Sequence, residues 1–160
     1  MNRLDFSELT DGRIFENLTC SFFYEELAHI QPNVRIIPSG IGPDGGRDII
    51  LETYPFDGIA IHMKKWIIQC KFSAKTISPS GFYDDNIPNL LHEHNADGYL
   101  LICRGNPTAK LTQSFERMEN NCRHSRKYRI WSGEFFKTMI LGHEKLIRQY
   151  FPEYYFKKSE

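Results

Sequence analysis

Apolar residues recur at Ile14, Phe15, Leu18, Phe22 and Leu27. Those intervals place them on one face of a helix. Asp11 stands just ahead as a side-chain cap, so the pattern predicts a helix from Asp11 to about His29, with Pro32 past its end. The period then changes. Val34 to Ile37 reads as a strand stopped by Pro38, and a second strand runs from Asp48 to about Thr53. Tyr54 to Ala60 contains Pro55 and Asp57-Gly58, which mark a hairpin connection into a third strand, Trp66 to Phe72. Ser73 to Gly81 is a polar loop with Pro79, and a helix within Asp84 to Asn95 is interrupted near Pro88. Gly98 to Cys103 is apolar throughout, as a strand covered on both faces is. Pro107 opens a helix to about Asn120, and Tyr128 to Trp131 is a short strand. Ser132 caps a last helix, with Glu134 in its first turn, reaching toward Tyr150.

The order is α-β-β-β-α-β-α-β-α. Early strands joined by a hairpin pair antiparallel, and later strands separated by helices pair parallel. The fold expected is α/β, a central mixed β-sheet flanked by helices on both faces. A chain of 160 residues suits one domain, 1–160, with its core at about 11–150. There is no internal repeat and no low-complexity stretch.

Composition changes the picture in three places. Twenty basic and twenty acidic residues cancel. Strong autonomous nucleic-acid binding would call for a basic fold, so any such binding is local, weak or assisted. The four cysteines, 20, 70, 103 and 122, form no C-x-x-C pair, which argues against zinc and for a reduced, cytoplasmic setting. The polar start, Met1-Asn2-Arg3-Leu4-Asp5, is no signal peptide. No apolar run approaches the roughly 20 residues of a membrane span.

The candidate chemistry lies in two segments. Gly42-Pro43-Asp44-Gly45-Gly46-Arg47-Asp48-Ile49-Ile50 is a glycine-rich turn that ends in an aspartate at a strand start. Trp66-Ile67-Ile68-Gln69-Cys70-Lys71-Phe72 is an apolar strand carrying one amide and one lysine. Strand side chains alternate, so Gln69 and Lys71 face one way and Cys70 the other. If the strands pair, Asp48, Gln69 and Lys71 meet at one sheet edge. A carboxylate, an amide oxygen and a lysine there suit a divalent metal and water activation for phosphodiester hydrolysis.

Each residue has a plainer reading. Asp48, freed to turn by Gly45 and Gly46, is a metal ligand or a turn aspartate bonding local N–H groups. The Gln-x-Lys strand at this distance favours the ligand. Lys71 is costly to bury among Ile, Cys and Phe. It would orient or deprotonate water, or offset charge on a pentacovalent phosphate, or else snorkel to solvent. The Gln69 carbonyl and the Cys70 backbone carbonyl are further ligands, against an ordinary sheet hydrogen bond for Gln69. Glu16, at the flank of the first helix's apolar stripe, either reaches the metal directly or through water, or is a solvated carboxylate. Asp44 is a fallback ligand and reads better as a turn residue. His92 and His94 do not share a helix face and read as surface residues. Arg123, His124, Arg126, Lys127 and Arg129 form the densest basic run, a phosphate contact or a solvated loop. Arg47, Lys75, Arg104 and Lys110 are candidates to extend it.

In this order, the helix glutamate, Gly-x-Asp-Gly-Gly-x-Asp and Gln-x-Lys resemble the Mrr-like branch of the PD-(D/E)xK restriction-endonuclease superfamily. The resemblance runs from about Asp11 through Leu141. Phe15-Glu16 is similar to the first-helix motif, Asp48 to the metal-binding aspartate, and Gln69-Cys70-Lys71 to the Gln-x-Lys variant of Glu-x-Lys. Ala96-Asp97-Gly98-Tyr99-Leu100-Leu101-Ile102 and Ile130-Trp131-Ser132-Gly133 resemble it too. The insert between Thr53 and Trp66 is longer than in the shortest members and is expected to reshape the cleft. The resemblance implies a restriction-endonuclease-like core and a Mg²⁺-dependent nuclease, with Mn²⁺ able to substitute. It implies double-stranded DNA as substrate, 5′-phosphate and 3′-hydroxyl products, and a role in prokaryotic antiviral or restriction defence. Homo-oligomers, or fusion to an NTPase or sensor module such as a STAND-type ATPase, are the implied partners. Rival readings are a DNA-binding or assembly module that is inactive or needs a partner to cut, a docking domain using aromatics from Phe151 to Phe156, and an RNA or single-strand substrate.

Overall fold

The computed structural model describes residues 3–31, 33–38, 49–79 and 86–160. Helix α1 spans Gly12–Leu27, and the Asp11 carboxylate accepts the Ile14 N–H as its cap. Strands β1 (Arg35–Pro38), β2 (Ile49–Thr53) and β3 (Lys64–Lys71) follow. Then come α2 (Ile87–Glu93), β4 (Gly98–Cys103), α3 (Ala109–Asn120) and β5 (Lys127–Trp131). Three helices close the chain: α4 (Gly133–Ile140), α5 (Glu144–Tyr150) and α6 (Pro152–Ser159).

The strands form one five-stranded sheet in the order β1-β2-β3-β4-β5. β1, β2 and β3 pair antiparallel; β3, β4 and β5 pair parallel. The expected mixed sheet is therefore present, with β3 at its centre. Two apolar layers cover it. One joins α1, α4 and α5 to Ile49, Leu51, Ile68, Leu100 and Ile102. The other joins α2 and α3 to Ile67, Tyr99, Leu101 and Cys103. β4 is buried at every position because both layers close over it.

Close packing sets two glycines, one against a side chain and one against backbone. A Cβ on Gly98 would meet the Trp66 ring at 2.6 Å. A Cβ on Gly133 would collide with the Arg104 carbonyl oxygen. Asp97 ties the strand starts together: its carboxylate accepts the Lys65 N–H at 2.8 Å, and its carbonyl accepts the Lys127 N–H at 2.9 Å.

Several expectations need correction. Pro88 does not interrupt a helix: it stands in the first turn of α2, where a missing N–H costs nothing, and Asn86 caps that helix. The single last helix is broken at Leu141-Gly142-His143, which lets α5 and then α6 fold back. Phe151 is fully buried, and Tyr154 and Tyr155 lean on the core. Of that aromatic run only Phe156 is exposed as a docking surface would need.

Candidate active site

Pairing of β2 with β3 brings the two candidate segments together. Ile49, the residue after Asp48 in sequence, pairs with Ile68, the residue before Gln69. Asp44, Arg47 and Asp48 lie outside the described residues. Gln69 and Lys71 share the face of Ile67, as strand alternation requires. Because β3 is central, they stand at the end of an interior strand and not on a sheet edge.

Gln69 is only 8% exposed. Its Oε1 accepts a hydrogen bond from the Tyr99 hydroxyl, which comes from β4 beside it. An amide oxygen has two lone pairs, so this bond orients the group and leaves one acceptor position. Lys71 is half-buried and pairs in register with Cys103. Burial pushes the Cys103 thiol up to about 12, while the charge of Lys71 pulls it down. The parallel register puts Lys71 and Cys103 side by side on one face.

The backbone continues the arrangement. Lys71 O accepts the Arg104 N–H at 2.9 Å and so points toward β4. Carbonyls alternate along a strand, so the Cys70 carbonyl points toward the β2 side, beyond the Ile49–Ile68 pair. The Cys70 side chain faces the other layer, where its Sγ lies 3.5 Å from Thr19 Oγ1 on α1.

Helix α1, which carries Glu16, covers this end from that other layer. Phe15 packs on Phe72 with ring centroids 5.6 Å apart, so the first turns of α1 sit over the end of β3. Glu16 also helps to raise Cys20, whose thiol burial pushes up to about 11.

The basic candidates divide between the two ends of the sheet. Arg104 stacks over Phe72 at 4.5 Å, and the backbone of Lys75 lies against Gly105, so both belong to the Lys71 end. Lys110 is exposed in the first turn of α3. Lys127 pairs through Gly98 with Trp66, five residues back along β3 from Lys71, which is about 16 Å at strand rise. Arg123, Arg126 and Lys127 therefore lie at the opposite end. There, Arg126 Nε donates to the Ala96 carbonyl, and Lys127 and Arg129 pair with Glu119. The insert between Thr53 and Trp66 also leaves from that far end, so it does not reshape the Gln69–Lys71 cleft. Among the described residues no three His, Cys, Asp or Glu side chains cluster as a metal site. His92 is exposed and His94 half-buried.

Sequence reading missed Tyr99. It lies in a continuous apolar run, and only the parallel register of β3 and β4 puts its hydroxyl on Gln69. Tyr99→Phe strands a buried acceptor, a loss of about 1–3 kcal/mol. A urea melt is expected to show that loss, and a freed amide is expected to lower any turnover by about tenfold. Unchanged stability would mean the bond carries no weight.

The chain matches no protein-family model and no curated protein. Two solved structures resemble it. The MspJI restriction endonuclease in complex with a 27-mer oligonucleotide aligns with a TM-score of 0.52 at 14% identity, over 79% of this chain and 27% of that one. The DNA modification-dependent restriction endonuclease AspBHI aligns with a TM-score of 0.52 at 10% identity, over 96% of this chain and 43% of that one. The chain thus spans less than half of either protein. The likeness establishes a restriction-endonuclease-like fold.

Proposed function

We propose that this chain is a Mg²⁺-dependent, Mrr-like endonuclease that hydrolyses phosphodiester bonds of double-stranded DNA in prokaryotic restriction or antiviral defence. One observation carries the reading. On the central strand of a restriction-endonuclease-like sheet, Gln69 and Lys71 share a face at the end where β2 begins, directly after Asp48 in sequence. Both structural neighbours are restriction endonucleases, which supports the same reaction class.

The donor set suits a hard cation that takes oxygen ligands. The Asp48 carboxylate, Gln69 Oε1, the Cys70 carbonyl and Glu16 would hold Mg²⁺ (or Mn²⁺), which when bound supplies Lewis-acid charge and makes water more acidic. The protein's own groups do the rest. Tyr99 holds the Gln69 amide in one orientation. Lys71 Nζ positions the attacking water and offsets charge as phosphorus becomes pentacovalent. Arg104 and Lys75, at the same end, are suited to flanking phosphates. With no net charge, the chain draws DNA affinity from self-assembly or from an attached NTPase or sensor module.

Purified protein with supercoiled plasmid and Mg²⁺ is expected to yield nicked and linear DNA, and excess chelator to stop it. Intact plasmid, together with no heat on Mg²⁺ titration, overturns the nuclease reading and leaves an assembly module with a nuclease-like fold.

A further inference from the structure

The β2–β3 connection is a built arm with an apolar tip. Phe56 and Ile61 bridge across it. Asp57 Oδ1 accepts the N–H groups of Ile59 and Ala60 at 2.8 and 2.9 Å, and Oδ2 lies 2.7 Å from His62 Nε2. Those hydrogen bonds hold the Asp57 carboxyl below its ordinary range. Gly58 supplies the positive φ of 95° that the turn needs. On this frame Phe56 is 66% exposed, Ile59 91%, Ile61 65% and Met63 47%. Scattered apolar residues are normal on a surface, but four together on one ordered arm are not.

Beside the base of the arm lies an apolar pocket of about 200 Å³. Phe23, Leu51, Trp66, Ile68, Leu100 and Trp131 line it, with Thr53 at the arm's root and Arg129, which pairs with Glu119, as its one charged lining residue. It is smaller than the roughly 300 Å³ at which small-molecule sites begin, yet suited to one or two aliphatic side chains.

We propose that the arm of one copy seats Ile59 in this pocket on a second copy, and the reverse, forming a two-fold dimer. Knob and hole share one end of the sheet, since Thr53 and Trp66 border both. That placement is what a self-complementary two-fold contact requires. The four tip side chains expose on the order of 500 Å² per copy, so a reciprocal contact that seats Ile59 in the pocket and covers the rest of the tip against its surroundings would bury about 1,000 Å² before the pocket walls are counted. This reaches the lower bound for a specific interface.

A wedge between DNA bases needs free cations at its base to hold phosphates. Three cations near the arm's base are engaged by carboxylates instead: Arg35 by Glu52 at 3.2 Å, Lys64 by Asp97 at 3.9 Å, and Lys127 by Glu119 at 3.5 Å. The dimer leaves the Gln69–Lys71 end uncovered.

Sedimentation velocity of the 160-residue chain over a concentration series tests this. Wild type is expected to show a monomer–dimer equilibrium. Ile59→Asp, at a fully solvated position, should weaken it at least tenfold, as should Thr53→Arg at the pocket mouth. Phe156→Asp, exposed elsewhere, should leave it unchanged, and thermal melts confirm that each variant folds. A wild type that stays monomeric into the millimolar range overturns the proposal. So does a dimer indifferent to Ile59→Asp, and so does a monomer whose retardation of a DNA duplex is lost in Ile59→Asp.

Discussion

Alanine at Lys71 or at Asp48 is expected to abolish plasmid cleavage, a loss of about 10³-fold or more. The two variants should fail differently. Lys71 stands on the rigid central strand, its carbonyl clamped by the Arg104 N–H, with Cys103 beside it on β4. Removing its charge takes away stabilisation of the transition state but no oxygen ligand, so Mg²⁺ binding should survive in Lys71→Ala. Asp48→Ala should lose the binding heat as well. Lys71→Arg should not rescue, because a planar fork does not replace a compact ammonium on a short reach. Melting temperatures should stay within a few degrees of wild type for Lys71→Ala, since a half-buried side chain is cut back and no cavity is sealed. Cleavage at the wild-type rate in Lys71→Ala would move the chemistry off this strand.

Gly133→Ala is expected to cost about 3 kcal/mol, and so to lower Tm by roughly 10 °C. Ser132 caps α4 through the Phe135 N–H, and Gly133 N donates to the Gly105 carbonyl at 3.0 Å. The start of α4 is thus seated on the end of β4, backbone against backbone. A methyl at Gly133 points into the Arg104 carbonyl oxygen, which cannot swing aside as a side chain would. Relief requires α4 or the Arg104–Gly105 turn to move. Since Arg104 N–H holds Lys71 O, activity should fall with stability. A melt within about 2 °C of wild type would show that this junction relaxes cheaply.

The helices and strands were largely legible because their cores follow the two simple periods. Asp11 as a cap, the Gln69–Lys71 alternation and the all-apolar β4 rest on neighbours within a few residues, and each is found as read. The break after Ile140 was not legible, because Leu141, Gly142 and His143 do not forbid a helix. What ends it there is the burial of Leu146, Ile147 and Phe151 against the layer that holds Phe136. Phe151 looked like a docking aromatic for the same reason: its apolar surface predicts burial somewhere, not where.

The basic residues teach the same distinction. Arg104 and Arg126 are equal as charges in a sequence, yet parallel pairing of β4 and β5 sends one to the Lys71 end and the other to the far end. The arm from Phe56 to Met63 was legible as a hairpin from Pro55 and Asp57-Gly58, but its distance from the site follows only from the β2–β3 register.

By itself, then, the sequence determined the mixed α/β architecture and which short-range groups share a face, because capping and alternation are settled within one or two turns of chain. Only the tertiary structure decided which strand is central, that Tyr99 holds Gln69, that Gly133 must be glycine, and which end each cation occupies. Those follow from strand order and register, which the competition among all apolar faces for one core decides.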